Sequence, residues 1–211
     1  MSIYFLMLLM MFLLLYQGII FSLFYAPKRI KVISAMVLIL MACRYIVLTI
    51  LFVIKNQSYL YLLKPMLFTN ILCIPICGIL AIFIFARNDK IKFENVFILC
   101  VVLGLAYFTL IYKSFIKINI SNISGYTIKL QLENYYNVAL LIINSIFLIK
   151  GIEIFYKKPS NKLGALLITI SSITTLVAVL TTTLNMNFAF LLLADLAWVV
   201  TLDYGLIKFK R

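Results

Sequence analysis

Two charged residues, Arg44 and Asp195, stand inside long apolar stretches of the chain. Arg44 lies 13 residues after Lys31, and Asp195 lies 12 residues before Ile207. At 1.5 Å per helical residue, both are about 18–20 Å from the basic ends of their helices, so we expect them at one depth. A charge in an apolar medium needs a partner or a wet cavity. The sequence therefore predicts an ion pair, which either fixes helix packing or responds to a ligand, an ion or a proton.

Small and polar side chains recur at helical spacing in the other apolar stretches. One interpretation is close helix packing, which such residues favour in lipid. The other is a polar pocket inside a helical bundle. The residues that we expect to line such a pocket are Gln17, Asn70, Asn137, Asn144, Ser171, Thr175 and Trp198.

The ionisable residues argue against catalysis. The chain has no histidine, which excludes histidine bases, histidine proton relays and most zinc sites. Asp195 and Asp203 are eight residues, or about 12 Å, apart on one helix, too far to share a proton as an aspartic dyad does. The sequence contains no phosphate-binding loop and no metal-ligand cluster. We expect no catalytic residues, metal or cofactor, and we expect Asp203 to be solvated near a helix end.

The composition points to lipid as the solvent of this chain. Of 211 residues, 65% are hydrophobic and 12% charged, whereas soluble domains are about half apolar and a quarter charged. The net charge of +13 is divided among short clusters between apolar stretches, which is unlike the basic face of a nucleic-acid-binding protein. We therefore expect the lipid bilayer to be a partner and nucleic acid not to be one.

The apolar stretches predict an all-α fold, with one membrane domain (residues 1–211) of seven spanning helices. A helix that crosses the bilayer needs about 20 apolar residues. The polar run 181–187 divides the last long stretch into two helices, and Pro75 predicts a kink in the third. The predicted helices cover residues 3–25, 32–54, 66–86, 95–112, 134–156, 163–183 and 188–207.

The basic residues between the helices predict the orientation. Segments 28–31, 87–92, 150–162 and 208–211 hold thirteen Lys and Arg, and segments 55–64 and 113–129 on the other side hold five. Since basic residues favour the cytoplasmic side, the amino terminus is expected outside and the carboxyl terminus in the cytoplasm. Frequent Ile, Lys, Asn and Phe are typical of an AT-rich coding sequence, so we expect the cytoplasmic membrane of a bacterium.

The segment 115–133 between the fourth and fifth predicted helices has a different pattern. Apolar residues alternate with polar ones on both sides of the turn-forming run 121–125. This alternation predicts a short β-hairpin over the outer ends of the helices, where it could cover a cavity. The alternative is an irregular loop that dips into the membrane interface.

The order of these features resembles the seven-helix sensor module at the amino end of many bacterial histidine kinases. The resemblance rests on the outer loop with Gly125 and Tyr126, on the run 135–137 (Tyr-Tyr-Asn) and on Asp195-Leu196 in a last helix followed by basic residues. It covers most of the chain in layout but few residues in detail. No kinase domain follows Arg211 in this sequence, so the resemblance implies a sensing module that acts through a separate signalling or transport protein.

We therefore expect a non-catalytic, sensor-like or accessory membrane module whose bundle binds a small or lipidic ligand or a partner helix. A small transporter or channel that uses the same polar residues is the alternative. A structural subunit of a membrane complex is the second alternative.

Overall fold

The computed structural model describes residues 3–53, 60–86, 93–121, 125–131, 133–157, 161–183 and 189–210. Several of the sequence predictions fall partly or wholly outside these ranges. They are the basic segments 55–64, 87–92, 150–162 and 208–211, the turn-forming run 121–125 of the predicted hairpin, the helix ends at 54 and 188, and residues 184–187 of the predicted polar break.

Eight helices make up most of the described chain. They are α1 (Ile3–Tyr25), α2 (Lys28–Val53), α3 (Leu60–Leu67), α4 (Asn70–Ala86), α5 (Phe93–Lys113), α6 (Glu133–Tyr156), α7 (Lys162–Thr183) and α8 (Ala189–Ile207). Among the described residues, seven helical segments are long and apolar enough to cross a membrane, with α3 and α4 together supplying the third, so the predicted number of spans is confirmed. A helix suits this medium because it satisfies its own backbone polar groups where no water is present. The chain is thus an integral membrane protein.

The third predicted span is divided into two helices. Its continuous prediction over residues 66–86 is wrong at the start, because Met66 and Leu67 end α3 and a turn at Phe68 and Thr69 separates them from α4. Pro75, at which the sequence predicts a kink, lies inside α4. Arg44 of α2 and Tyr107 of α5 donate to two of the carbonyls at the end of α3, and these bonds stabilise the break at membrane depth.

Two strands lie between α5 and α6. Strands β1 (Ile116–Ser121) and β2 (Gly125–Leu130) pair antiparallel, from Ile116 opposite Leu130 to Ser121 opposite Gly125. The backbone N–H of Gln131 donates to the carbonyl of Phe115 at 2.9 Å, which closes the open end of the ladder. This is the segment whose alternation predicted a hairpin, and β2 packs against α2.

Helix α8 packs against α1, α4 and α7. Trp198 of α8 is fully buried and packs edge-on against Phe147 of α6, with ring centroids 5.6 Å apart. Gly78 admits the Phe147 ring, since a methyl group there would overlap it. In contrast, α5 exposes large apolar side chains such as Phe97, as expected for a lipid-facing helix.

Candidate functional site

The structure brings Arg44 of α2 and Asp195 of α8 together. One guanidinium NH group of Arg44 donates to the carboxylate Oδ2 of Asp195. The two side chains are only 2% and 0% exposed, so the pair is shielded from solvent. The Tyr45 hydroxyl also donates to Oδ2, at 2.7 Å. A buried ion pair is tolerated when further hydrogen bonds satisfy its members, and Tyr45 supplies one.

Arg44 also closes the end of α3. Its Nε–H donates to the carbonyl of Leu67, the last residue of α3, at 3.0 Å. The last carbonyls of a helix have no partner within it, and a cation there interacts favourably with the helix dipole. The carbonyl of Met66 accepts from the Thr69 hydroxyl at 3.0 Å, and that of Pro65 accepts from the Tyr107 hydroxyl. The side-chain donors thus hold the break between α3 and α4.

A cavity of about 50 Å³ lies beside this arginine, and we call it the Arg44 cavity. At roughly 10–15 Å³ per water, it has room for about three to five water-sized groups. It lies toward the end of the bundle at which α6 and α8 begin, with β2 along one wall. Its lining includes Arg44, Asn70, Leu130, Tyr136, Asn137 and Leu191.

Asn70 and Asn137 are two of the seven residues predicted to line a pocket, and both face this cavity. They are 7% and 8% exposed, and no described residue bonds to either side-chain amide. The amide atoms of both side chains keep accessible surface, so water or a ligand in the cavity can bond to them. The carboxylate Oδ1 of Asp195 likewise has no hydrogen-bond partner among the described residues.

Three of the other predicted pocket residues belong to the contact between α7 and α8. The Ser171 hydroxyl shares a hydrogen bond of 2.6 Å with the Thr201 hydroxyl and donates to the carbonyl of Ala197 at 3.0 Å. The indole N–H of Trp198 donates to the Thr175 hydroxyl at 2.9 Å. For these three residues the packing interpretation describes the observed contacts, because their polar groups are satisfied across the two helices.

The remaining two predicted residues lie elsewhere in the bundle. Gln17 is exposed on α1. Asn144 is fully buried, and its side-chain N–H donates to the carbonyl of Leu140 one turn earlier, at 2.9 Å. Neither is among the described residues that line the Arg44 cavity. Helical spacing identified the polar residues of each helix. It did not show whether those residues face the cavity, another helix or the outside of the bundle.

Three contributors to the site were not predicted from the sequence: Tyr45, the carbonyl of Leu67 and Tyr136. Tyr45 is the direct neighbour of Arg44, and its position beside a buried charge was the available signal. The carbonyl of Leu67 left no signal, because its role depends on where α3 ends. Tyr136 lines the cavity while its hydroxyl is bonded to the Ser114 hydroxyl.

Asp203 differs from its expected state. The sequence placed it in a solvated position near the end of the last helix, but it is 6% exposed. The expectation was wrong because the backbone of α1 at Gly18 packs directly against the carboxylate and shields it from solvent.

The arrangement connects a cavity to the packing of three helices. One guanidinium links a cavity, the end of α3 and the carboxylate on α8, so a group that enters the cavity meets a side chain already shared between helices. The described residues hold no group of three potential metal ligands. Comparison of the sequence with protein-family models finds no matching family, and comparison with curated proteins finds no matching relative.

Proposed function

We propose that this chain is a non-catalytic sensor-like module whose Arg44 cavity binds a small polar ligand, and that it signals to a separate partner protein. The observation that carries the proposal is the double contact of Arg44, which lines the cavity and bonds to Asp195 on α8. A ligand can shift a protein between two states only through contacts that differ between them. The Arg44–Asp195 pair supplies such a contact.

The cavity favours a neutral ligand group with an oxygen acceptor. Arg44 and Asp195 already balance each other, so a charged ligand would add an uncompensated charge to a buried site. A guanidinium offers five N–H donors, and an amide side chain both donates and accepts. A hydroxyl or amide group of a few non-hydrogen atoms therefore matches Arg44, Asn70 and Asn137 in both size and chemistry.

Such a group would compete with Asp195 and with the carbonyl of Leu67 for the N–H donors of Arg44. A weaker bond between Arg44 and Asp195 would allow α8 to move relative to α2. A weaker bond between Arg44 and the carbonyl of Leu67 would allow the end of α3 to move. Ligand binding is thereby coupled to the position of α8, the helix that leads to the basic end of the chain.

The proposed orientation has the amino terminus outside and the carboxyl terminus in the cytoplasm of a bacterium, because thirteen basic residues lie in segments on one side and five on the other. In this orientation β1 and β2 lie on the outer side, above the cavity. The resemblance in layout to histidine kinase sensor modules supports the same assignment, with a signalling protein as the partner.

A small transporter is the second candidate, and the break between α3 and α4 favours it. Transporters bind their substrates where membrane helices are interrupted, with free backbone groups at the site. The carbonyl of Leu67 has no partner within its own helix and is bonded instead by Arg44, and Leu67 also lines the cavity.

Flux through liposomes distinguishes the two candidates. The purified chain is reconstituted, uptake of Na⁺, K⁺ and H⁺ is followed with entrapped dyes, and entry of glycerol and acetamide is followed by light scattering. We expect the rates of protein-free liposomes. Flux above that level, lost on Arg44→Ala or Asn137→Leu but kept in Val138→Leu on the exposed face of α6, would replace the sensor proposal with the transporter.

A further inference from the structure

Asp203 is a second buried acid on α8, and the Arg44 cavity does not involve it. It is 6% exposed, and neither of its carboxylate oxygens has a hydrogen-bond partner among the described residues. Asp195 is buried to a similar degree but is paired with Arg44 and Tyr45. Of the two acids on this helix, Asp195 therefore has a positively charged partner, and Asp203 has none among the described residues.

The backbone of α1 covers Asp203 without supplying a charge. A methyl group on Gly18 would overlap the carboxylate, so α1 lies in direct contact with it. Residues Ile3–Tyr25 include no charged side chain. Within α7, residues 163–183 include none either. The titratable groups of α4 are the thiols of Cys73 and Cys77, which carry no positive charge.

The nearby cations have other contacts. Lys208 lies over the ring of Tyr204, 5.2 Å from its centroid, and Lys210 lies over the ring of Tyr25 at 5.7 Å. The cations of the first turn of α2, Lys28, Arg29 and Lys31, form no ion pair with Asp203. Among the described residues, therefore, no charge balances an ionised Asp203.

An isolated carboxylate in an apolar interior is so unfavourable that the group takes up a proton instead. We propose that Asp203 is a proton-binding site between α1 and α8, and that it carries a proton in the folded bundle at neutral pH. Its ionisation would put an unbalanced charge against the backbone at Gly18 and separate α1 from α8. This inference is independent of the ligand proposed for the Arg44 cavity.

Infrared spectroscopy of the folded protein in lipid at neutral pH tests the proposal. A protonated carboxylic acid has a carbonyl-stretching band apart from the backbone and carboxylate bands, and the chain has only six Asp and Glu side chains. We expect the wild type to show this band and Asp203→Asn to lose it. Glu153→Gln, which removes an exposed carboxylate bonded to Lys150, serves as the matched control and should keep the band.

If Asp203→Asn fails to fold, an isotope-labelling measurement on the wild type alone still tests the proposal. Incorporation of carbon-13 aspartate should shift the band, because Asp203 is one of only three aspartates beside Asp89 and Asp195. A wild type without the band, a band that survives in folded Asp203→Asn, or a band that carbon-13 aspartate leaves in place would each overturn the proposal.

Discussion

Arg44 and Asp195 are 151 positions apart in the chain, yet their side chains form a buried ion pair that joins α2 to α8. The same arginine bonds to the carbonyl of Leu67, so one guanidinium holds three helices. Its contact with the cavity makes this junction the place where a bound group can alter helix packing.

Removal of one member of the pair should be much worse than removal of both. Asp195→Leu leaves an uncompensated cation, and Arg44→Met leaves an uncompensated carboxylate, each at a cost of about 3–5 kcal/mol. The double variant Arg44→Met/Asp195→Leu should recover most of that loss. Reversible unfolding in detergent or bicelles measures all three variants, and losses that simply add in the double variant would contradict a direct pair.

The contact between α7 and α8 should depend on the Thr175 hydroxyl. Thr175→Val keeps the shape but leaves the indole N–H of Trp198 without its acceptor, which we expect to cost about 1–2 kcal/mol of unfolding free energy. Thr183→Val at an exposed position of the same helix is the control, with a change of less than about 0.5 kcal/mol. Equal effects of the two substitutions would show that the bond to Trp198 contributes nothing.

A methyl group should be tolerated at one glycine and not at another. Gly18→Ala would overlap the carboxylate of Asp203, and we expect a loss of about 1–3 kcal/mol. Gly104 has nothing within 4 Å of an added Cβ, so Gly104→Ala should stabilise α5 by up to about 1 kcal/mol. Melting temperatures of the two variants in one detergent test the contrast. An unchanged melting temperature for Gly18→Ala would contradict the close approach of α1 to α8.

Asn144 should be replaceable by an apolar residue. Its side-chain oxygen is buried without a partner among the described residues, so Asn144→Leu removes an unsatisfied acceptor and should raise stability or leave it within about 1 kcal/mol. Asn144→Asp has nearly the same shape but puts a carboxylate at a fully buried position, and it should be clearly less stable at neutral pH. A strong loss for Asn144→Leu would instead indicate a polar role for this residue. Thermal unfolding of both variants measures the difference.

The sequence was most informative where hydrophobicity alone decides the structure. Long apolar runs predicted all seven spans, and the depth of two isolated charges predicted which pair would meet. Both follow from local sequence, because the bilayer fixes the length of each span and a buried charge needs a partner.

The rest depended on the directions in which helix faces point. Asn70 and Asn137 face the cavity, whereas Gln17 points outward and Asn144 is buried elsewhere, although all four sit in similar apolar surroundings. The break at Phe68 was hidden for a related reason. It is stabilised by hydrogen-bond donors from other helices, above all Arg44, and the sequence around Phe68 does not show which distant side chains reach it.

The central claim is that the chain acts as a module through a separate protein, and its direct test is purification from its native membrane. The tagged chain is extracted in mild detergent, and the proteins that accompany it are identified and quantified by mass spectrometry. We predict a signalling protein in near-equal amount to the chain, with the amount bound altered by Asn137→Leu in the cavity and unaltered by Val138→Leu. A chain recovered alone, or only with copies of itself, would contradict the account.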